Sequence, residues 1–145
     1  MSNTQETSGF NFAPQVSAAA QADIVELSTK IKGFRDNTID SEKFRSFRLT
    51  RGVYGQRQEG VQMIRIKLPY GKVTSEQLVR ITQVSDEYST GRLHITTRQD
   101  IQIHYVSLDR TPELWANLAK TISRCVKLVE TQFVILQEVN WLVSM

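Results

Sequence analysis

Apolar and polar residues alternate in three stretches near the middle of the chain, which predicts three β-strands. The stretches cover residues 61–68, 92–97 and 100–106. A tight connection around Arg98 and Gln99 joins the last two into a hairpin. Because side chains in a strand alternate between faces, each strand has one face for a core and one polar face. The residues expected on the core side are Ile64, Ile66, Leu68, Leu93, Ile95, Thr97, Ile101, Ile103 and Tyr105.

Two stretches with helical spacing accompany these strands. The first begins after Thr74, which forms a capping-box signature with Gln77. The second, 111–120, starts with Thr111 as the expected N-cap and has proline at the first helical position. The order over 61–120 is therefore β-α-β-β-α, which predicts an α+β fold containing most of a ferredoxin-like unit.

The pattern is weaker before this unit. Residues 1–42 are predicted to be an N-terminal extension, and 1–20 are expected to be mobile because Ser, Thr, Gln and Ala dominate them. A short helix is predicted over 21–34, ended by Gly33. The stretch 35–60 is polar, basic and punctuated by glycines, which predicts a loop with short extended pieces.

Charge adds a first indication of function. The chain has 145 residues, a size that suits one domain, and a net charge of only +3. Its basic residues are nevertheless concentrated between 43 and 67, where seven face one acid, Glu59. They are Lys43, Arg45, Arg48, Arg51, Arg57, Arg65 and Lys67. Such a block favours an anionic partner, although a solvated basic surface is an equally good interpretation of charge alone.

Cysteine use excludes several kinds of site. Cys125 is the single cysteine, so this chain by itself supplies no disulfide framework, zinc site or iron–sulfur cluster. No apolar run is long enough to span a bilayer, and the N-terminus does not read as a signal peptide. We therefore expect a cytoplasmic protein without a membrane partner.

The polar faces of the three strands carry an unusual set of donors. They hold Arg65, Lys67, Arg92, His94, Thr96, Arg98, Asp100, Gln102 and His104. A small sheet with helices on one side leaves its other face open, so these side chains would lie together. Guanidinium and hydroxyl groups can hold an anion, and imidazoles can donate protons. The pattern alone leaves open the alternative that these residues only face water.

A family resemblance bears on this choice. The stretches "GVYGQRQEG" (52–60), "MIRIKLPYG" (63–71) and "HITTRQDIQIH" (94–104) resemble the siroheme-dependent nitrite and sulfite reductases. The resemblance covers about 43–120 and implies a ferredoxin-like half domain from the N-terminal part of such an enzyme. The family reduces nitrite to ammonia or sulfite to sulfide, using siroheme, an iron tetrapyrrole rich in carboxylates, and a 4Fe–4S cluster.

The resemblance also implies residue roles. Arg65 matches the arginine that reaches the bound oxyanion, with Lys67 as a second candidate. The motif that lies against siroheme and its carboxylates corresponds to Thr96, Thr97, Arg98 and Gln99, with His104 as a further candidate. The implied partners are a small oxyanion and an electron donor, either ferredoxin or a reductase subunit. Nitrite and sulfite are not distinguished.

The chain departs from the family after Lys120. The four cluster cysteines have no counterpart, so no metal ligand is expected here. Family-like DNA can be written, with chosen codons, so that loss of one base after the Lys120 codon yields 121–145 residue for residue. We therefore expect this tail to be an out-of-frame product. The chain would then be an N-terminal reductase fragment, inactive alone.

Two alternatives stay open. The chain could be a standalone ferredoxin-like module that binds nucleic acid or another anion. It lacks the aromatic pattern by which sheets of related topology read RNA, which disfavours nucleic acid. It could also be a subunit completed by a separate chain that supplies the cysteines.

Overall fold

The computed structural model describes residues 9–10, 12–14 and 16–121. Residues 1–8 of the predicted extension lie outside this part of the chain, as does the predicted out-of-frame tail beyond Thr121. None of the helices in the described ranges is long and apolar enough to cross a membrane.

The described residues contain four α-helices and four β-strands. They are α1 (Ala18–Arg35), α2 (Ser41–Thr50), β1 (Val53–Gly55), β2 (Val61–Ile66), α3 (Ser75–Tyr88), β3 (His94–Ile95), β4 (Ile101–Ser107) and α4 (Thr111–Ala119). Short 3₁₀ turns occupy Pro69–Gly71 and Leu108–Arg110. From β2 to α4 the order is β-α-β-β-α, which confirms the predicted α+β, ferredoxin-like topology.

The strands form one antiparallel sheet in the order β1-β2-β4-β3. One face of the sheet packs against the helices and carries the buried residues of the strands. These are Val53, Ile64, Ile66, Ile101, Ile103 and Val106, each at most 3% exposed. The core therefore lies between this face and the helices, and the opposite face has no helix over it among the residues described.

Helix α1 is longer than the short helix predicted there. It begins where Ser17 Oγ accepts the backbone N–H of Ala20, and it continues through Gly33 to Arg35. Ile24 and Leu27 are completely buried in the same core as the strands. Each buried aliphatic side chain of this size stabilises a fold by about 1.5–3 kcal/mol. The described helix of the extension is thus an integral part of the domain.

The prediction of a loop over 35–60 is wrong for α2. Asp40 caps this helix by accepting the backbone N–H groups of Glu42 and Lys43. Only Phe44 is buried among its residues, stacked 4.4 Å from the Phe34 ring. A helix with one buried anchor has too narrow an apolar stripe to be recognised in a basic stretch. The predicted extended pieces are represented by β1.

The alternation prediction also fails at four positions. Thr97, expected in the core, is exposed in the β3–β4 turn, and Asp100, expected on the polar face, is only 8% exposed. Tyr105, expected in the core, is 48% exposed, because β4 contains a bulge opposite the Gln62–Ile64 segment of β2. Val106 takes the core position instead. Ile95 is 74% exposed, since β3 is a two-residue edge strand paired only with β4.

Helix starts were predicted with mixed success. The capping box of Thr74 and Gln77 is confirmed. Thr111 is not the N-cap of α4: a 3₁₀ turn runs directly into the helix, and the Thr111 hydroxyl donates back to the carbonyl of Leu108. Arg110 occupies the cap position without a side-chain hydrogen bond.

Candidate anion-binding site

The strand register lines up three polar residues across the face without helices. Arg65 of β2 pairs with Gln102 of β4, and Gln102 pairs with His94 of β3. Directly opposed residues point to the same side of a sheet, about 5 Å apart at Cβ. The sequence placed these side chains on one face, and the register brings them into one row.

His104 lies two residues after Gln102 in β4, on the same face of the sheet. Its ring centre lies 6.0 Å from that of His94, with the two rings perpendicular. Burial lowers the pKa of His104, and the positive charge of a protonated His94 lowers it further. We call Arg65, His94, Gln102 and His104 together the open face.

Arg65 has unused hydrogen-bonding capacity. Its Cζ lies 5.2 Å from the centre of the Tyr54 ring, within cation–π range. Its Nε is buried and finds no hydrogen-bond partner among the described residues. The Nε of Arg51 and the Nε1 of Trp115 share this property but lie before β1 and in α4. A buried donor without an acceptor is costly, so Arg65 is suited to a ligand that supplies one.

The turn between β3 and β4 is closed by the side chain of Thr96. Its Oγ1 accepts the backbone N–H groups of Arg98 at 3.3 Å and Asp100 at 3.2 Å. The Gln99 N–H donates to the Thr96 carbonyl at 3.0 Å, and Gln99 takes a left-handed φ of 62°. This is the three-residue hairpin loop with a left-handed last residue. The Thr96 hydroxyl therefore shapes the turn, while the side chains of Thr97, Arg98 and Gln99 are exposed.

The 3₁₀ turn after β2 packs against this hairpin. A Cβ placed on Gly71 would lie 2.6 Å from Gln99 Oε1, so the two turns touch where Gly71 has no side chain. Gly71 also has a φ of 65°, which favours glycine. The close approach fixes the end of the hairpin beside the end of β2.

Lys67 links the turn to the open face electrostatically. Burial lowers the pKa of its ammonium; the carboxylate of Asp100 opposes this, and the guanidinium groups of Arg65 and Arg98 reinforce it. Lys67 thus lies in the field of one carboxylate, that of the buried residue Asp100, and of two guanidinium groups. The excess of positive charge makes this end of the sheet a place where an anion is stabilised.

Sequence reasoning did not identify two residues that shape the site. Tyr54 lies beneath the guanidinium of Arg65. Gln56 binds the bulge of β4: its Oε1 accepts the Tyr105 N–H at 2.7 Å, and its Nε2 lies 3.3 Å from His104 Nδ1. Both belong to the stretch "GVYGQRQEG", but no spacing rule connects that stretch to β4.

The described residues contain no group of three or more His, Cys, Asp or Glu side chains that could hold a metal ion. Cys125 lies outside them. The open face and the neighbouring turn carry guanidinium, ammonium, imidazole and amide groups, which can bind an anion through hydrogen bonds and charge.

Comparison with known proteins matches this region to one family. Residues 54–121 match the nitrite/sulfite reductase ferredoxin-like half domain. Over 65 residues the chain is 34% identical to a ferredoxin–nitrite reductase of Zea mays, covering 45% of this chain and 11% of the relative.

Two other relatives give a similar result. An assimilatory ferredoxin-dependent nitrite reductase of Haloferax mediterranei is 35% identical over 79 residues, which is 46% of this chain and 14% of the relative. The sulfite reductase [NADPH] hemoprotein beta-component of a Paenibacillus species is 37% identical over 67 residues, 43% of this chain and 12% of the relative. The matched part thus spans 11–14% of the length of these three curated relatives.

Proposed function

We propose that the open face and the Thr96–Gln99 turn form one wall of a reductase site, since residues 54–121 match the nitrite/sulfite reductase ferredoxin-like half domain. That wall binds the carboxylates of siroheme and the oxyanion substrate, nitrite or sulfite. The observation that carries the proposal is the buried Nε of Arg65, which lacks a partner within a cluster of three cations.

The residues present fit a polycarboxylate. Arg65, Lys67 and Arg98 supply positive charge against the single carboxylate of Asp100. A planar guanidinium can bind a carboxylate with two parallel hydrogen bonds, which an ammonium cannot. The guanidinium of Arg65 and the exposed side chain of Arg98 can each turn toward an acceptor without breaking a hydrogen bond found in the structure.

The side chains of the wall have separable tasks. Arg65 and Lys67 hold the oxyanion and offset its charge, because positive groups stabilise oxygens that gain electron density during reduction. His104 and His94 are close enough to share a hydrogen-bond network with the bound anion and to hold protons near it. Thr96 holds the turn that presents Thr97, Arg98 and Gln99. Siroheme, when bound, would pass electrons from the electron donor to the substrate.

Catalysis requires parts that the described residues do not contain. The names of relatives include a ferredoxin-dependent and an NADPH-dependent enzyme, so we propose a ferredoxin or a reductase subunit as the electron donor. We propose that the reaction takes place in the cytoplasm and that the 145-residue chain is inactive alone. We further propose that 121–145 are out of frame. Sequencing the locus tests this: without a family-like reading frame one base away after the Lys120 codon, the idea fails.

A spectroscopic titration of the full chain with siroheme tests the binding proposal. We expect Arg65→Met to weaken siroheme affinity by roughly tenfold to a hundredfold, the effect of losing a hydrogen bond between charged partners. Arg57→Met is the matched control, since Arg57 is exposed in the β1–β2 connection. Equal affinity of wild type and Arg65→Met would contradict the proposal. Salt-dependent binding of a nucleic-acid duplex without siroheme affinity would favour the standalone module instead.

A further inference from the structure

The amide of Gln56 can take only one orientation. The backbone N–H of Tyr105 is a donor, so the Gln56 atom 2.7 Å from it must be the oxygen. The other amide atom, 3.3 Å from His104 Nδ1, is then the NH₂ group, which only donates. His104 Nδ1 must therefore accept. A neutral imidazole that accepts at Nδ1 carries its proton at Nε2.

Gln56 also holds the unusual backbone at this point. Tyr105 has a φ of 61°, a conformation that is rare and strained for a bulky residue. A bulge leaves backbone groups without strand partners. Here Gln56 accepts the Tyr105 N–H, and the hydroxyl of Ser89, which follows α3, donates to the His104 carbonyl. The side chains of Gln56 and Ser89 thus supply hydrogen-bond partners to backbone groups of the bulge, and Gln56 also contacts the His104 ring.

We propose that Gln56 is a positioning residue of the site: it fixes the bulge of β4 and the tautomer of His104, so that Nε2–H is the donor of this imidazole. Among the described residues no other side chain hydrogen-bonds to the His104 ring, and the His94 ring, perpendicular to it, has its centre 6.0 Å away. The consequence that Nε2–H donates to the bound anion rests on the function proposed above. The assignment of the tautomer does not.

Long-range ¹H–¹⁵N correlation spectra of the full chain test the tautomer without a ligand. The chain has two histidines, so the signals lost in His104→Asn assign His104. At pH 8, above the ordinary histidine pKa of about 6.5, the His104 ring is neutral, because burial lowers its pKa further. We expect unaveraged signals with the proton on Nε2 of wild-type His104. A proton on Nδ1, or the averaged signals of free imidazole, would overturn the proposal.

The variant Gln56→Glu should reverse the tautomer of His104. A carboxylate can still accept the Tyr105 N–H but cannot donate to Nδ1, so His104 should move its proton to Nδ1. Gln58→Glu introduces the same charge at an exposed position two residues away and should leave His104 unchanged. An unchanged His104 in a folded Gln56→Glu protein would contradict the inference.

A second variant covers the case in which Gln56→Glu does not fold. Gln56→Met removes both hydrogen bonds at similar side-chain length, and should give averaged His104 signals and faster hydrogen exchange of the Tyr105 amide. Unchanged exchange and an unchanged tautomer would refute the proposal. If wild-type His104 is the Nε2–H tautomer but the chain does not bind siroheme, only the proposed function is refuted. If the chain binds siroheme but His104 is the Nδ1–H tautomer, only the role of Gln56 is refuted.

Discussion

Replacing Arg65 with methionine should make the ligand-free protein more stable while it weakens anion binding. Methionine keeps the apolar stem of the side chain but lacks the guanidinium. The lost charge ends the repulsion that Arg65 exerts on Lys67. It also removes a buried donor, the Nε atom, that finds no hydrogen-bond partner among the described residues.

The magnitude follows from two opposed effects. Leaving a buried donor unsatisfied costs about 1–3 kcal/mol, which the variant regains. The variant loses the cation–π contact with Tyr54, at 5.2 Å, which contributes about 0.5–1 kcal/mol at a partly exposed site. The difference is a gain of about 1 kcal/mol in the free energy of unfolding. For a domain of this size, the gain corresponds to a rise of about 4 °C in Tm.

Urea and thermal denaturation of the full chain measure this gain. Arg57→Met, at an exposed position, should change the free energy of unfolding by less than about 0.5 kcal/mol. Combining Arg65→Met with Tyr54→Leu in a double-mutant cycle isolates the cation–π energy. If Arg65→Met is less stable than wild type by about 1 kcal/mol or more, the guanidinium is satisfied in the folded protein and the reasoning fails.

Three further predictions concern the turns and the histidine pair. Thr96→Val removes the acceptor of two backbone N–H groups and should lower the free energy of unfolding by about 1–2 kcal/mol, whereas Thr97→Val, at the exposed next position, should not; equal urea midpoints would contradict this. Gly71→Ala should cost more than Gly60→Ala, by about 1 kcal/mol in denaturation, because both glycines have positive φ but only Gly71 faces the Gln99 side chain. The lowered pKa of His104 means that the unfolded chain binds its proton more tightly, so this group costs stability progressively as pH falls below about 6.5; His94→Asn should raise the His104 pKa measured by NMR titration, and an unchanged pKa would exclude the charge of His94 as a cause.

Local patterns were sufficient for the β-α-β-β-α unit. The alternation of apolar and polar residues in 61–66 and 101–104 indicates directly which side chains enter the core, because alternate side chains of a strand in a fixed register point to opposite faces. The capping box of Thr74 is complete within four residues, so the start of α3 needs no tertiary information. The same alternation placed Arg65 and His104 on the polar face; the pairing with Gln102 bears this out for Arg65, and the 6.0 Å distance to the His94 ring bears it out for His104.

The failures occur where distant contacts override local preference. Helix α2 exists although its sequence is basic and has one buried residue, and its end is held by Arg51, which pairs with Glu26 of α1 at 2.8 Å. Asp40 and the three-residue spacing of Phe44 and Phe47 were the available local signals. Nothing near Ile95 in the sequence indicates that its strand ends after two residues at the edge of the sheet.

By itself, the sequence determined the elements of the half domain, the polar composition of its open face and the resemblance to a reductase family. Only the tertiary structure decided how those polar groups are used. The Thr96 hydroxyl accepts a hydrogen bond within its own turn, and the Arg65 Nε has no partner among the described residues. The Gln56 amide contacts His104, which lies 48 residues further along the chain. The physical reason is that the apolar–polar periodicity of a sequence indicates only whether each residue is buried or exposed. Hydrogen-bond partners and tautomers depend on which atoms the fold brings within about 3 Å.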